Sequence, residues 1–164
     1  LIINLYYYEI GASNSQLGIA FAVQSVCELP FFFYGKRIIH RFGASNVFLF
    51  TMVATALRMI GYSLTASPFV AIAIGSIHGI SIALFLVSMV EYVHGMVPST
   101  FRSTGQSLIY TFYAAGVCIG NFLIGYLNDY TTIRRALLYE GIVIILIALA
   151  VALVIKKNAR AASS

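Results

Sequence analysis

From Leu1 to Ser164 the chain is a succession of apolar runs separated by brief polar breaks, and all but the first have the length of a bilayer crossing. A hydrocarbon layer about 30 Å thick takes about 20 helical residues to span. The pattern predicts a partial helix over residues 1–9, then a turn over Ile10–Ser15, where Gly, Asn and Ser gather. Five full spans follow, at about 16–37, 46–65, 68–96, 105–127 and 134–155, and residues 156–164 form a tail. The stretch from Ser103 to Asn128 holds no formal charge. Pro68 suits the first turn of the third full span, and Pro98 marks the break after it. Pro30 falls inside a span and predicts a kink there, with a freed carbonyl upstream. The expected fold is all-α integral membrane, with residues 1–155 forming one transmembrane bundle.

Composition narrows the class without changing it. The chain is 60% hydrophobic and 9% charged, with a mean hydropathy of +0.92, which excludes an ordinary water-soluble domain. The ten basic residues are distributed unevenly along the spans. Lys36, Arg37 and Arg41 follow the first full span, Arg102 the third, and Lys156, Lys157 and Arg160 the fifth, so all of these fall on one side. Arg134 and Arg135 fall on the other, and Arg58 lies within the membrane. Loops rich in Lys and Arg stay cytoplasmic, so the C-terminus is expected in the cytoplasm of a cell whose inner or plasma membrane the chain crosses several times. The net charge of +5 is accounted for by anionic lipid and asks for no nucleic-acid partner. The chain opens on Leu rather than Met and enters in mid-helix without a signal peptide, which predicts a piece of a longer protein.

Catalytic chemistry finds no foothold. Cys27 and Cys118 lie in different spans without metal-ligand or redox spacing, and no Ser–His, H-E-x-x-H or Gly-rich phosphate motif is present. No enzyme, metal site or cofactor is expected. Tyr6, Tyr7 and Tyr8 sit beside the outer turn as an interfacial aromatic belt would. Three other groups are harder to place in oil. Arg58 lies near the middle of an uncharged apolar stretch, and Glu28 and His78 lie in neighbouring spans at what the pattern gives as comparable depth. A charged side chain at the bilayer centre costs roughly 2.5–3.5 kcal/mol on insertion scales, so such groups pair or face a wet cavity. They point to a pathway for a solute or an ion.

Three segments resemble a known family. GKRIIHRFG, Gly35 to Gly43, resembles the short cytoplasmic loop of the major facilitator superfamily, with Gly35, Lys36, Arg37, Arg41 and Gly43 carrying the likeness and the acidic residue of many members absent. ALRMIGYSLTASPFVAIAIGSIHG, Ala56 to Gly79, resembles helices nine and ten of the proton-coupled sugar symporters typified by lactose permease, through Arg58, Gly61, Ser63 and His78. VPSTFRSTGQSLIY is similar to the start of helix eleven in the phenylpropionate-type permeases. The resemblance implies the C-terminal six-helix half, from the tail of helix seven to helix twelve. Its partners would be a missing N-terminal half, the lipid bilayer, a small-molecule solute and protons. Substrate would bind between the halves, with alternating access to the two sides.

Departures from the pattern shape the residue assignments. Ser81 stands where the lactose permease pattern has a proton-carrying carboxylate, and Ser25 where it has a second one, whereas Glu28 lies three residues on from Ser25 and on nearly the same helix face. Glu28 is therefore expected to carry the coupling proton, with Arg58 as its charge partner and His78 as a neutral hydrogen-bonding group toward substrate. His78, Ser81, Ser25, Tyr110, Tyr113 and Asn121 form the expected substrate-binding set. Glu91 and His94 are expected in an interfacial cluster with Lys36, Arg37 or Arg102, and Glu140 at the outer surface answering Arg134 or Arg135 without a transport role. Gly116 and Gly120 predict a face for close helix approach. The function expected is proton-coupled symport of a small organic solute such as a sugar, nucleoside or aromatic acid. An efflux antiporter of the same superfamily and a non-transporting membrane subunit remain as alternatives.

Overall fold

The computed structural model describes residues 2–161, and those residues are almost entirely helical. Six helices follow one another: α1 (Ile2–Glu9), α2 (Asn14–Phe42), α3 (Ala44–Leu64), α4 (Pro68–Met96), α5 (Arg102–Tyr130) and α6 (Ile133–Ala161), with one 3-10 turn at Ser99–Phe101. The last five are long and apolar enough to cross a membrane. In oil a backbone must satisfy its own hydrogen bonds, and the helix does so within one segment. Local chemistry sets the ends. Ser13 caps α2 through a reciprocal box, its Oγ accepting from the Gln16 N–H at 3.2 Å while the Gln16 side chain accepts from the Ser13 N–H at 2.9 Å. Pro68 occupies the first turn of α4, and Pro98 follows its end.

The expected loop after the first span is not a loop. Helix α2 runs through Lys36, Arg37 and Arg41 to Phe42, passing Pro30 unbroken, and α3 begins at Ala44. Only Gly43 joins them, at φ 83° and ψ 141°, a conformation that a side chain would strain. Of the motif residues, Gly35 packs against Val87 of α4, and Lys36, Arg37 and Arg41 are exposed on the last turns of α2. Hydropathy marks where a chain leaves oil, whereas the helix continues into water.

Helices joined by so short a link do not become close neighbours here. Helix α2 packs on α4, α4 on α3, and α3 on α6, while α5 touches α4 and α6 much more lightly and has Ile124 as its buried residue. Two apolar clusters hold this set near opposite ends. One joins Tyr6, Tyr7, Ala20, Met59, Tyr62, Ala71, Ile133 and Leu137, and the other Ile39, Val47 and Leu84. The tyrosines of α1 thus correct an expectation. Tyr6 and Tyr7 are fully buried against Tyr62, and the Tyr6 hydroxyl donates to the carbonyl of Thr65 at 3.1 Å, whereas only Tyr8 stays exposed. Adjacent helical positions lie about 100° apart, so two of three consecutive side chains can share a buried face and the third turns outward.

The glycines divide in an unexpected way. A Cβ on Gly79 would collide with the carbonyl oxygen of Gln24 and lie 2.9 Å from Cys27 Cβ, so α2 and α4 touch at backbone distance there. Around Gly116 and Gly120 nothing lies within 4 Å of where a Cβ would stand. The expected close approach on α5 is not formed, and both glycines face an open space. Gly79→Ala should therefore lower the melting temperature of the detergent-solubilised protein, by the equivalent of about 1–3 kcal/mol of overpacking. Gly120→Ala should melt at or above wild type. Thermal melts of the two variants side by side decide this.

Candidate functional site

A cavity of about 670 Å³ opens between α3, α4, α5 and α6 and is closed at one side by Ile2 and Ile3 of α1. Its polar lining comes from four helices: Thr51, Thr55 and Arg58 of α3, His78 and Ser81 of α4, Tyr113 and Asn121 of α5, and Glu140 of α6. Several of these groups have already spent part of their hydrogen-bonding capacity. Thr51 Oγ1 donates to the Phe48 carbonyl at 2.7 Å, and Ser81 Oγ is shared between the carbonyls of Ile77 at 2.8 Å and His78 at 3.2 Å. Asn121 Nδ2 donates to the Val117 carbonyl at 2.9 Å, which leaves its amide oxygen free to accept.

Arg58 is the least comfortable group in this wall. It is 5% exposed, its Nε has no hydrogen-bond partner, and its guanidinium lies 5.8 Å from the centroid of the Tyr62 ring. A ring face attracts a desolvated cation but does not satisfy its N–H groups. The acidic charge that bears on Arg58 is that of Glu140, and the two do not close to an ion pair within 4.0 Å. Glu140 is half-buried and is the carboxylate that lines the cavity among the described residues.

The structure brings together part of the expected site. Arg58, His78, Ser81, Tyr113 and Asn121 share the cavity. Glu28, Ser25 and Tyr110 do not line it. The expected pairing of Glu28 with Arg58 is not formed, and depth is the reason. Glu28 stands fourteen residues into α2, about 21 Å of rise, whereas Arg58 stands six residues before the end of α3, about 9 Å from the same side of the bundle. The Glu28 backbone lies at the α2–α4 contact instead, its N 3.0 Å from where a Cβ of Gly79 would stand.

Glu140 was expected at the surface with Arg134 or Arg135. The Arg134 Nε instead donates to the Ser63 carbonyl at 3.0 Å, satisfying the last turn of α3, where carbonyls lack helical partners. Six residues separate Arg134 from Glu140, so they face different sides of α6, and Glu140 lies about 10 Å in from the start of its helix, level with Arg58. A depth count from the helix ends carries the signal that hydropathy alone did not. The cluster expected around Glu91 and His94 also forms through other partners. His40 Nε2 lies 3.8 Å from Glu91 Oε1, and Gln106 Nε2 donates to His94 Nε2 at 2.9 Å.

A second crevice of about 660 Å³, mostly apolar, lies toward the α6 C-terminal end and is lined by Ser45, Phe48, Ser88, Tyr92 and Val154 among others. Phe85 and Tyr113 border both spaces, their ring centroids 5.6 Å apart, and Phe48 stacks on Phe85 at 5.6 Å. Three rings from three helices therefore form the partition between the polar cavity and the apolar crevice.

Comparison with known families fits this architecture: the model of the MFS_1 like family matches residues 2–159. The chain belongs to that family. The chain is 30% identical over 144 residues to the "Uncharacterized transporter YwbF" of Bacillus subtilis (strain 168), a match covering 85% of this chain and 35% of that protein. It is 25% identical over 158 residues to the "Maltose permease" of Geobacillus stearothermophilus, covering 94% of this chain and 39% of that protein. The chain thus spans less than two fifths of the length of these relatives. No solved structure matches it.

If the cavity is wet, single cysteines at Tyr113, Gly120 and Asn121, placed in a background lacking Cys27 and Cys118, should react with a membrane-impermeant maleimide at least about tenfold faster than one at Phe122, which is exposed on α5 but does not line the cavity. Labelling rates in proteoliposomes measure the difference.

Proposed function

We propose that this chain is the C-terminal bundle of a secondary transporter that carries a small polar organic solute through its central cavity by proton-coupled symport. The observation that carries this reading is the cavity itself. At mid-bundle it joins a buried cation, an imidazole, a carboxylate, an amide oxygen and a phenol around one space in a chain otherwise built for oil. Buried ionisable groups in a membrane interior mark a solute or proton pathway, because their burial is otherwise expensive. A volume of about 670 Å³ falls in the range of small-molecule sites, and polar groups that fix orientation alternate there with apolar walls.

Two relatives support the transport reading through their names, one a transporter and one a maltose permease. The maltose permease and the mixture of donors and acceptors favour a hydroxyl-rich solute such as a sugar, ahead of a nucleoside or an aromatic acid. Access alternates between the two sides as this bundle rocks against an N-terminal six-helix partner. The basic residues at the ends of α2 and α6 hold those ends, and with them the C-terminus, on the cytoplasmic side of the cell membrane.

The full-length protein in proteoliposomes, with an alkaline interior imposed by pH jump, should accumulate at least one of radiolabelled maltose, uridine or phenylacetate above its external concentration. A protonophore should abolish that accumulation. Arg58→Ala should reduce the initial rate by at least about tenfold, because truncation leaves the remaining polar groups of the site without their charge partner. Equilibration of all three solutes at wild-type rates without any response to the pH jump would overturn proton coupling. The absence of any saturable flux of the three would overturn this choice of solute classes.

A further inference from the structure

We propose that Glu140 of α6 is the group that takes up and releases the coupling proton of this cavity, an inference that rests on the transport reading above. Three observations converge on it. Glu140 is the carboxylate lining the cavity among the described residues, it stands level with Arg58, and its helix is fixed against α3 at the next position. A Cβ on Gly141 would lie 3.0 Å from the Ala56 carbonyl and 2.7 Å from Ile60 Cγ1, so only glycine lets α6 approach α3 this closely. That contact sets the Glu140 backbone beside the Ala56–Ile60 stretch of α3, which carries Arg58.

The surroundings of Glu140 are those of a proton exchanger rather than of a locked ion pair. Across the cavity it faces Arg58 from α3, His78 from α4 and Tyr113 from α5, while α1 presents only Ile2 and Ile3. A locked pair would close below 4.0 Å and satisfy the guanidinium, yet Arg58 keeps an unpartnered Nε and the pair stays open. Burial away from water favours the neutral acid, and a nearby guanidinium favours the carboxylate, so the separation of the two side chains decides which form is held. In the exchange step the O–H bond of the Glu140 acid breaks, its electron pair stays on the carboxylate oxygen, and the proton passes to water in the cavity. Closing of Arg58 onto the carboxylate compensates the charge left behind. Solute bound at the guanidinium would draw the Arg58 side chain away from the carboxylate, which then takes a proton from water in the cavity and returns to its loaded form.

The test needs a readout that does not depend on knowing the solute. Infrared difference spectra of the full-length protein between acid and alkaline pH should contain a protonated-carboxylic-acid C=O band that converts to carboxylate. Glu140→Gln should remove that band, and Glu140→Asp should restore a shifted one. In proteoliposomes Glu140→Gln should lose at least about tenfold of the pH-driven uptake of whichever of maltose, uridine and phenylacetate the wild type accumulates, while exchange of the same solute at equal pH stays within about twofold. Persistence of the band or of driven uptake in Glu140→Gln would overturn the assignment. Removal of the band by Glu28→Gln instead would overturn it too, in favour of the carboxylate on α2. Loss of the band in Glu140→Gln together with a wild type that equilibrates these solutes without response to the pH jump would support the titrating role of Glu140 while sinking the symport reading, so the two ideas fail separately. If Glu140→Gln does not elute as a monodisperse species, Glu140→Asp alone decides through the band, since a proton carrier predicts a shifted band and a structural carboxylate that stays ionised predicts an unshifted one.

Discussion

Everything in this bundle is arranged around the burial of one guanidinium. Arg58 is 5% exposed in a helix long and apolar enough to cross a membrane, and a cation at the bilayer centre costs roughly 2.5–3.5 kcal/mol before any partner is counted. The partners it has are partial: a tyrosine ring at 5.8 Å from its centroid, the charge of Glu140 beyond ion-pair distance, and no acceptor for Nε. The rest of the packing holds this unrelieved group in place. Glycines at 79 and 141 let α2 meet α4 and α6 meet α3 at backbone distance, and apolar clusters near both ends of the bundle prevent the helices from sliding to a better compromise. A group retained at such cost, in a site lined by other polar side chains, is what the proposed transport role calls for.

The helices themselves were legible because lipid leaves a backbone no alternative. Apolar runs of bilayer length became α2 to α6, with Pro68 and Pro98 punctuating the path as their missing N–H groups require. What hydropathy could not supply was the phase and extent of each helix. The run ending near residue 37 marks an exit from oil, yet α2 continues to Phe42, because Lys36, Arg37 and Arg41 are good helix formers that simply point into water. The tyrosines at 6 and 7 looked interfacial by type, and only packing against Tyr62 and Leu137 reveals that they are core.

The site shows the same division between kind and depth. Arg58 and His78 stood out because of their chemistry, and the structure places them on one cavity with Ser81, Tyr113 and Asn121. Glu28 stood out equally, but a difference of about 12 Å in rise along antiparallel helices separates it from Arg58. Glu140 was masked by its neighbours in sequence. Two arginines half a dozen residues away suggested a surface cluster, when one of them is occupied with the end of α3 and the glutamate turns inward. Counting residues from each helix end, rather than from each charge, separates these cases.

Helix α5 explains how such a site can be both fixed and adaptable. Four helices, α2, α4, α3 and α6, make an unbroken series of extensive contacts, and they carry Arg58, His78 and Glu140. Helix α5 carries Tyr113 and Asn121 yet buries little beyond Ile124, and its glycines at 116 and 120 meet open space. Moving α5 therefore breaks fewer contacts than moving any of the other four, and local stability follows contact density. Arg58, His78 and Glu140 thus stand on helices with extensive mutual contacts, and Tyr113 and Asn121 on the most lightly packed of the five long helices. Tyr113 stands at the junction, one ring of the partition between the polar cavity and the apolar crevice. A shift of α5 would alter the shape of the cavity and the integrity of that partition together, while leaving the spacing of Arg58 and Glu140 to the α3–α6 contact at Gly141.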